Sequence, residues 1–306
     1  MSFKKYKKQI LSAANQSLIN KFKFYLKVEK GLSKNSIEAY TNDVYHFAIF
    51  YKEFPLREVY PEKVADYINH LFRKGEEDAT VARKNSSLKS FYKFLYSEKI
   101  IKNPVFEQFP SPKVSLKLPN VLSVREVNEL INSVKVNDKY GIRDRAILEF
   151  LYSTGARISE MLDLRVGDII FPEGLVRLTG KGRKERLVPI TGIASEYCKE
   201  YLENARGDLL KWKNSNIMFL NRFGNKLSRM GAWKIFDKYV RMAGISKKVS
   251  PHTLRHSFAT HLLQGGANLR IVQSLLGHSS IKTTQIYTNI DKEYLKEIHS
   301  LYHPRA

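Results

Sequence analysis

The sequence predicts a mainly α-helical protein of two domains, with a small β-sheet or hairpin in the second. Its length of 306 residues, 43% of them hydrophobic, suits about two domains that each bury a core. Apolar residues recur at helical spacing over most of the chain. One segment, residues 175–190, instead alternates apolar and polar residues around a glycine-containing turn, which is typical of a hairpin. A wholly disordered chain is excluded, because this much apolar surface can offset the entropy lost on ordering.

The first hundred residues are predicted to form four helices. Apolar residues at helical spacing mark the first over 18–31. The second extends to Tyr51, and Ser33 or Asn35 is its candidate N-cap. Pro61 suits the first turn of the third helix, because its missing N–H would be unpaired there in any case.

The fourth helix, residues 79–98, combines an apolar face with a basic one. An apolar face is what a helix buries against its own domain. The basic face is free to meet an anionic partner, and the residues expected to do so are Arg83, Lys84 and Lys89.

Four prolines then interrupt the chain within a short stretch, at positions 104, 110, 112 and 119. A continuous helix cannot pass through them. We therefore expect a helical domain over residues 1–112 and a second domain over 113–306, joined by a proline-rich linker at about 103–119. The second domain is expected to begin with two helices, and a later one should open at Ser250, with Pro251 in its first turn.

The chain is strongly basic, with 52 Lys and Arg against 30 Asp and Glu and a net charge of +22. Such an excess repels itself unless a polyanion neutralises it, so nucleic acid is the leading partner and an anionic membrane surface the second. A single cysteine, Cys198, excludes an intrachain disulfide and a cysteine-based zinc site and indicates a reducing compartment. With no secretory leader pattern and no apolar run of about 20 residues, a soluble cytoplasmic protein is predicted.

Two arginine-containing segments carry candidate chemistry. In TGARISEML, Arg157 and Glu160 are three residues apart and are expected to share a helix face, where the carboxylate would orient the guanidinium. Taken alone, this segment is more simply explained by an ordinary intrahelical ion pair. In SPHTLRHSFATHLL, His252 and Arg255 lie at the start of a predicted helix, where backbone N–H groups attract anions. The other histidines of this segment are expected to be ordinary core or surface residues.

Two further segments add a possible nucleophile and cations. In LLGHSSIKTTQIYT, His278 precedes Tyr287 by nine residues; taken alone, Tyr287 is more simply a packing aromatic. The turn GKGRKER places Lys181, Arg183, Lys184 and Arg186 at the tip of the predicted hairpin. Such a charge run is commonly a solvated end, but the two glycines would let a phosphate-bearing partner approach.

Together these side chains suit the cleavage of a phosphodiester without a metal. Two arginines and a histidine can neutralise the charge of a phosphorane, a tyrosine can act as nucleophile, a lysine can protonate the leaving oxygen, and a second histidine can accept or orient the tyrosine proton. The sequence has no GxxxxGK[ST] loop, no HExxH motif and no dense acidic cluster, so ATP-driven and two-metal chemistry are unsupported. No metal and no other cofactor is expected.

In their order and spacing these motifs resemble the tyrosine site-specific recombinases of the lambda integrase family, and within it the Xer branch. The resemblance covers nearly the whole chain and includes GLSKNSIEAYTNDVYHF, GKGRKERLVPI, GANLRIVQSLLGHSSIKTTQIYT and the terminal HPRA. That short tail looks more like the XerD type than the XerC type. The resemblance implies a SAM-like core-binding domain and a catalytic domain that close as a C-shaped clamp on duplex DNA.

Carried over residue by residue, the resemblance gives each candidate a role. Arg157 and Arg255 would clamp the scissile phosphate with His278 as a third donor, and Glu160 would support them. Tyr287 would be the nucleophile that forms a 3′-phosphotyrosyl link. Lys181 would be the general acid for the 5′-oxygen, and His252 the general base or a positioning residue. Arg183 and Lys184 are expected to contact DNA.

The resemblance also implies an assembly. Four protomers, of one kind or shared with a Xer paralogue, would hold two DNA duplexes at an inverted-repeat site and exchange strands through a Holliday junction. Resolution of chromosome or plasmid dimers at a dif-like site is the expected outcome, and a septal DNA translocase is a possible activator. The last helix, about Lys292 to Leu301, would dock on the neighbouring protomer or pack on its own domain.

Three other functions remain open at this point. An integrase of a mobile element would use the same chemistry, and a type IB topoisomerase would use it as a monomer to relax supercoils. A DNA-binding protein with a dead active site would bind without forming a covalent adduct.

Overall fold

The fold is given by a computed structural model, which describes residues 11–51, 54–111, 120–180, 182, 184–277 and 292–306. These residues form two compact units, divided after Lys117. The expected domain boundary after Pro112 falls in residues 112–119, outside the described residues, and stays a prediction. The mainly helical fold class with one small sheet is confirmed.

The N-terminal unit contains four α-helices in its described part. They are α1 (Ala13–Val28), α2 (Lys34–Phe50), α3 (Pro61–Arg73) and α4 (Asp78–Ser97). The side chains of Ser12 and Ser33 cap α1 and α2, and Pro61 occupies the first turn of α3, as the sequence predicts. Helix α1 begins five residues before the predicted start, because a serine cap and a polar first turn give no apolar signal there.

Aromatic rings fill the core of this unit. Phe22 of α1 meets Phe91 of α4 edge to face at 5.2 Å between ring centroids. Phe47 of α2 packs in the same way on Tyr67 of α3, at 5.2 Å. The apolar face predicted for α4 is therefore buried inside the unit. Of its predicted basic residues, Arg83 is exposed, whereas Lys84 and Lys89 are partly buried.

The C-terminal unit contains nine described helices around one three-stranded sheet. The helices are α5 (Val124–Asn132), α6 (Lys139–Thr154), α7 (Ile158–Asp163), α8 (Gly192–Tyr201), α9 (Gly207–Leu210), α10 (Arg229–Met242), α11 (Pro251–Gly265), α12 (Leu269–Leu276) and α13 (Lys292–Tyr302). The strands are β1 (Ile169–Ile170), β2 (Leu175–Thr179) and β3 (Glu185–Pro189). Both strand pairs are antiparallel. The predicted hairpin is thus confirmed, whereas β1, at two residues, is too short for an alternation signal.

Helix α6 forms the centre of this unit. It is buried on every side from Arg143 to Thr154, as expected for a helix enclosed by others rather than lying at a surface. Its buried charges are paired: Arg143 donates to Asp144 at 2.9 Å and 2.7 Å, and Arg145 donates to Glu149 at 3.1 Å. The helix ends at Gly155, whose φ of +57° favours glycine. A Cβ there would lie 2.4 Å from the Phe258 ring.

The last helix packs on its own unit. Leu295, Ile298 and Tyr302 contact the core of the C-terminal unit, whereas Tyr294 and Leu301 of the predicted apolar stripe are exposed. Packing of α13 on its own unit is thus what the described residues of this single chain show, and docking on a neighbouring protomer stays a prediction. Among the helices that the structure describes, none is long and apolar enough to cross a bilayer.

Candidate active site

The site begins at the break between α6 and α7. Arg157 is not inside a helix, as its spacing from Glu160 suggested, but is the N-cap residue of α7. Glu160 lies three residues later and accepts hydrogen bonds from the Arg157 backbone N–H at 2.7 Å and from its Nη1 at 2.9 Å. The expectation of a shared helix face is therefore wrong, although the ion pair itself is present. The pairing arises because a carboxylate at the third helical position reaches back to the free N–H of the cap.

Glu160 is the only carboxylate among the described residues of this cluster, and its side chain is 2% exposed. Burial alone would raise the pKa of this carboxyl. The hydrogen bonds and charge of Arg186, followed by the hydrogen bonds from Arg157, outweigh burial and lower the pKa to about 2. Glu160 is therefore ionised throughout the physiological range.

Arg255 enters the same cluster from the first turns of α11. Its Nη1 donates to the carbonyl oxygen of Gly155 at 2.5 Å, and its Nη2 donates to that of Leu276 at 2.6 Å. Its Nη1 lies 3.9 Å from Glu160 Oε2. Burial, together with the positive charges of Arg157 and Arg186, lowers the pKa of Arg255 to about 9. The guanidinium remains charged at neutral pH, and the nearby Glu160 carboxylate only partly offsets the effects of burial and of the two neighbouring arginines.

A third arginine, Arg186 on β3, belongs to the cluster, although no catalytic role was predicted for it from the sequence. Its Nη1 and Nη2 each donate to one Glu160 oxygen at 2.8 Å. In the sequence it stands among the charges of GKGRKER and looks like one more solvated residue. The usable signal was strand alternation, because the second position of the returning strand projects toward the same face as the apolar Val188.

The described members of the cluster leave positive charge unmatched. Three guanidinium groups face one carboxylate, which leaves two positive charges in excess. Arg157 is the member that solvent reaches most easily, with 42% of its side chain exposed. Its Nη1 and Nη2 donate to described residues, at 2.9 Å and 3.4 Å, whereas its Nε donates to none of them. A cluster of this kind can bind a phosphate-like anion through Arg157.

His252 lies in the first turn of α11 and is exposed. Its ring centroid is 4.4 Å from that of His256. His261, in contrast, is a buried core residue that pairs with the Tyr152 hydroxyl at 2.7 Å, in agreement with the simpler expectation for the other histidines of this segment. Lys184 is exposed beside β3. Four expected site residues, Lys181, Arg183, His278 and Tyr287, lie outside the described residues.

The basic residues predicted on α4 are each engaged within the N-terminal unit. Arg83 forms an ion pair with buried Asp43, and Lys84 lies 3.7 Å from a Glu76 oxygen. Lys89 donates to the Ser111 hydroxyl at 3.4 Å. Their contact with DNA stays a prediction.

Comparison with known proteins extends this description to the family. Residues 120–294 match the model of the phage integrase family, and residues 19–99 match the phage integrase N-terminal SAM-like domain. The tyrosine recombinase XerD of Oceanobacillus iheyensis is 41% identical over 94% of this chain and 98% of the relative. That of Chlorobaculum tepidum is 42% identical over 92% of this chain and 94% of the relative.

A solved structure agrees with these relatives. The crystal structure of XerH site-specific recombinase bound to palindromic difH substrate, a post-cleavage complex, matches with a TM-score of 0.70 at 26% identity, over 92% of this chain and 84% of that one. The family resemblance and the fold class predicted from the sequence are thereby confirmed. The chain belongs to the phage integrase family and is a XerD-like tyrosine recombinase, an enzyme that breaks and rejoins DNA.

Proposed function

We propose that this protein cuts and rejoins duplex DNA at a specific site through a 3′-phosphotyrosyl intermediate formed by Tyr287. The observation that carries the proposal is the excess of positive charge among the described residues of the arginine cluster, where Arg157, Arg186 and Arg255 share the carboxylate of Glu160. A phosphodiester brings one negative charge, and its pentavalent phosphorane carries about two. The described charges are therefore balanced better by the transition state than by the substrate, which is the condition for catalysis.

In the proposed reaction, each bond that forms or breaks is matched to a residue that accepts or supplies a proton. The Tyr287 oxygen attacks phosphorus while His252 accepts or orients the phenolic proton, and the bond from phosphorus to the 5′-oxygen breaks. Lys181 supplies a proton to that leaving oxygen. The bond energy is kept in the tyrosyl ester, and attack by a 5′-hydroxyl on the ester reverses the step on a new strand. Arg157 and Arg255 lower the barrier by meeting the charge of the phosphorane, with His278 as a third donor.

We further propose that four protomers act on two duplexes through a Holliday junction and resolve chromosome or plasmid dimers at a dif-like inverted repeat. The likeness to XerD proteins and to a XerH structure with a difH substrate supports this substrate class. A Xer paralogue as the second protomer type and a septal DNA translocase as activator belong to the same proposal. Arg83, Lys84, Lys89, Arg183 and Lys184 are proposed to contact the DNA backbone and so to steepen the salt dependence of binding.

Trapping of the covalent intermediate tests the central step. A DNA site with a nick next to the scissile phosphate loses a short fragment after cleavage, so the protein-DNA adduct accumulates. We expect an adduct at Tyr287 with the wild-type chain and none with Tyr287→Phe, with equal DNA binding by both. Adduct formation by Tyr287→Phe, or its absence from both proteins on every inverted-repeat site bound, would overturn the proposal.

The same assay separates the neighbouring possibilities. We expect cleavage to persist in excess chelator; strict dependence of this step on magnesium would contradict the site assignment. For the lysine, a 5′-bridging phosphorothiolate is the sharper probe, because its sulfur leaves without needing a proton. It should restore cleavage by Lys181→Ala, and a failure to restore it would remove the general-acid role. If monomers of the protein relaxed supercoiled plasmids that lack the site, the topoisomerase function would be favoured.

A further inference from the structure

The guanidinium group of Arg186 is hydrogen-bonded within the C-terminal unit. Arg186 is the second residue of β3, pairs in register with Leu178 of β2, and has a side chain that is 14% exposed. All three guanidinium nitrogens donate: Nη1 and Nη2 to the two oxygens of Glu160 at 2.8 Å each, and Nε to the carbonyl of Leu275 at 2.8 Å. Such a two-pronged contact fixes the plane of a carboxylate, which a lysine cannot do.

Fixing Glu160 also fixes Arg157. The Glu160 oxygens that Arg186 holds are the same two that accept Nη1 and the backbone N–H of Arg157, at 2.9 Å and 2.7 Å. The position of the Arg157 guanidinium therefore depends on a carboxylate whose orientation Arg186 sets. Without Arg186, the Glu160 side chain could rotate about its last bond and take Arg157 with it.

Arg186 also ties the sheet to the end of α12. The last carbonyls of a helix have no partner within it, and three consecutive carbonyls at this end receive three different arginines. Leu275 accepts from Arg186, Leu276 from Arg255 at 2.6 Å, and Gly277 from Arg157 at 3.4 Å. Gly277 is the last described residue before the segment that carries His278 and Tyr287 in the sequence.

We propose that Arg186 is a positioning residue for DNA cleavage: through Glu160 it sets the orientation of Arg157, and through Leu275 it fixes the end of α12 relative to β3. This inference rests on the proposed function, since it assumes that Arg157 contacts the scissile phosphate. Arg186 itself does not touch the reacting atoms, so it should affect the rate of cleavage and not the affinity for DNA.

The test compares Arg186→Gln and Arg186→Lys with the wild type in single-turnover cleavage of the nicked site at saturating DNA. We expect both variants to cleave up to about 100-fold more slowly, because a misplaced catalytic group costs that much, while the dissociation constant for DNA changes less than about threefold. Arg177→Gln is the matched control. Arg177 lies on the adjoining strand and pairs only loosely, at 4.0 Å and 3.9 Å, with Asp168 and Glu185, so its loss should leave the rate unchanged.

The pH profile provides a readout that a merely structural role would not move. Arg186 is the main partner that lowers the pKa of Glu160, so Arg186→Gln should bring that carboxyl toward its ordinary range. Cleavage by this variant should then fall further between about pH 6 and 4 than cleavage by the wild type. The double variant Glu160→Gln, Arg186→Gln should lack this additional acid limb, and its loss in rate should be less than the product of the single losses.

The outcomes separate this inference from the proposed function. If the wild type forms the adduct and Arg186→Lys cleaves DNA as fast as Arg177→Gln and the wild type, the role of Arg186 is overturned. The recombinase proposal then still stands. Failure of the wild type to form an adduct would contradict the recombinase proposal instead. If Arg186→Gln does not fold, Arg186→Lys still decides, because it keeps the charge and loses only the two-pronged contact.

Discussion

Two polar clusters of the C-terminal unit use the same helix in opposite ways. Near its start, α11 contributes Arg255 to the arginine cluster; six residues later it contributes His261 to a second cluster, which we call the histidine cluster and which consists of His261, His299, His303 and Tyr152. Their hydrogen bonds join α6, α11 and α13. The arginine cluster carries positive charge that its described members do not neutralise. The histidine cluster carries none.

In the histidine cluster each ring has a neutral partner. His299 Nε2 donates to the carbonyl of Ser153 at 2.7 Å, and His303 Nε2 donates to that of Tyr152 at 3.2 Å. His303 Nδ1 accepts from the Arg305 backbone N–H at 3.1 Å, which requires a neutral ring. Burial is the main reason that the pKa falls to about 4 for His299 and to about 3 for His303.

Matched and unmatched charge distinguish a structural polar cluster from a functional one. Buried polar groups that only stabilise a fold find matched partners, because each unmatched one lowers stability. The described members of the arginine cluster leave positive charge unmatched, as expected of a site whose anion comes from outside. Several substitutions test whether the two clusters differ in this way.

The largest effect should come from Arg255→Ala. Removal of an arginine that meets charge in a phosphoryl transition state lowers rates by about 1,000-fold or more, so we expect a loss of this size in single-turnover cleavage. The melting temperature should also fall, because two buried carbonyl groups, of Gly155 and Leu276, lose their partner and relief of repulsion from Arg157 and Arg186 offsets only part of that loss, so the rate is measured at a temperature where the variant is folded. If Arg255→Ala lowered the melting temperature but cleaved at the wild-type rate at a temperature where it is folded, Arg255 would be a structural residue and not a catalytic one.

Arg305→Ala should lower the stability of the fold rather than the rate of cleavage. Arg305 donates to Glu149 of α6 at 3.0 Å and 2.5 Å and to Asn128 of α5 at 2.7 Å. Its removal leaves a buried carboxylate with fewer partners, and we expect the free energy of unfolding to fall by about 3 kcal/mol. Denaturant unfolding measures this, with Arg125→Ala, an exposed arginine paired with Glu129, as the control. Equal stability of the two variants would show that the tail does not hold α13 in place.

Acid should separate the clusters without any mutation. Because His299 and His303 have lower pKa values in the folded state than the ordinary 6.5, the unfolded chain binds more protons, so stability falls as the pH drops below about 6.5. We expect a loss of about 2 kcal/mol for one such group between pH 7 and 5. The stabilisation from Glu160 persists until the pH falls from about 4.5 toward 2.

A substitution identifies the group responsible. In His299→Gln the amide can still donate to Ser153 but does not titrate, so the unfolding free energy should depend less on pH between 7 and 5. Hydrogen exchange of α13 amides measures the same change locally. If His299→Gln keeps the full pH dependence, the acid sensitivity comes from elsewhere.

The smallest effect should come from a pair of glycines. Gly277 and Gly174 have φ values of +65° and +62°, so an alanine strains both backbones by about 1 kcal/mol. Only at Gly277 would the new Cβ also meet Arg186, at 3.0 Å from Cδ and 3.2 Å from Nε, whereas Gly174 has open space. We expect Gly277→Ala to slow cleavage by roughly tenfold through this displacement, and Gly174→Ala to leave the rate unchanged. If Gly277→Ala and Gly174→Ala cleaved DNA at equal rates, displacement of Arg186 would not affect cleavage.

Local signals were enough to predict much of this fold. The Ser33 and Ser250 caps, the first-turn prolines and the alternating strands of the hairpin each act within a few residues, so the sequence displays them. The length of the polar first turn of α1 was not visible, because apolar periodicity carries the helix signal. The pairing of Arg157 with Glu160 was predicted, but through the wrong geometry.

Contacts between distant residues could not be predicted in this way. Arg186 reaches Leu275 across 89 positions, and His299 reaches Ser153 across 146. A single sequence shows which residues are charged but not which charges meet. The terminal HPRA could be matched to a family, yet its physical reason, the bonds of His303 and Arg305 to α6, appears only in the structure.

A neutral substrate shows whether the excess positive charge of the arginine cluster acts on the charge of the scissile phosphate. A methylphosphonate at the scissile position removes one negative charge and keeps the geometry. On the ordinary nicked site, Arg255→Ala should cleave about 1,000-fold more slowly than the wild type. On the methylphosphonate, that difference should shrink to about tenfold or less. An equal loss on both substrates would contradict the claim that Arg255 acts by its charge.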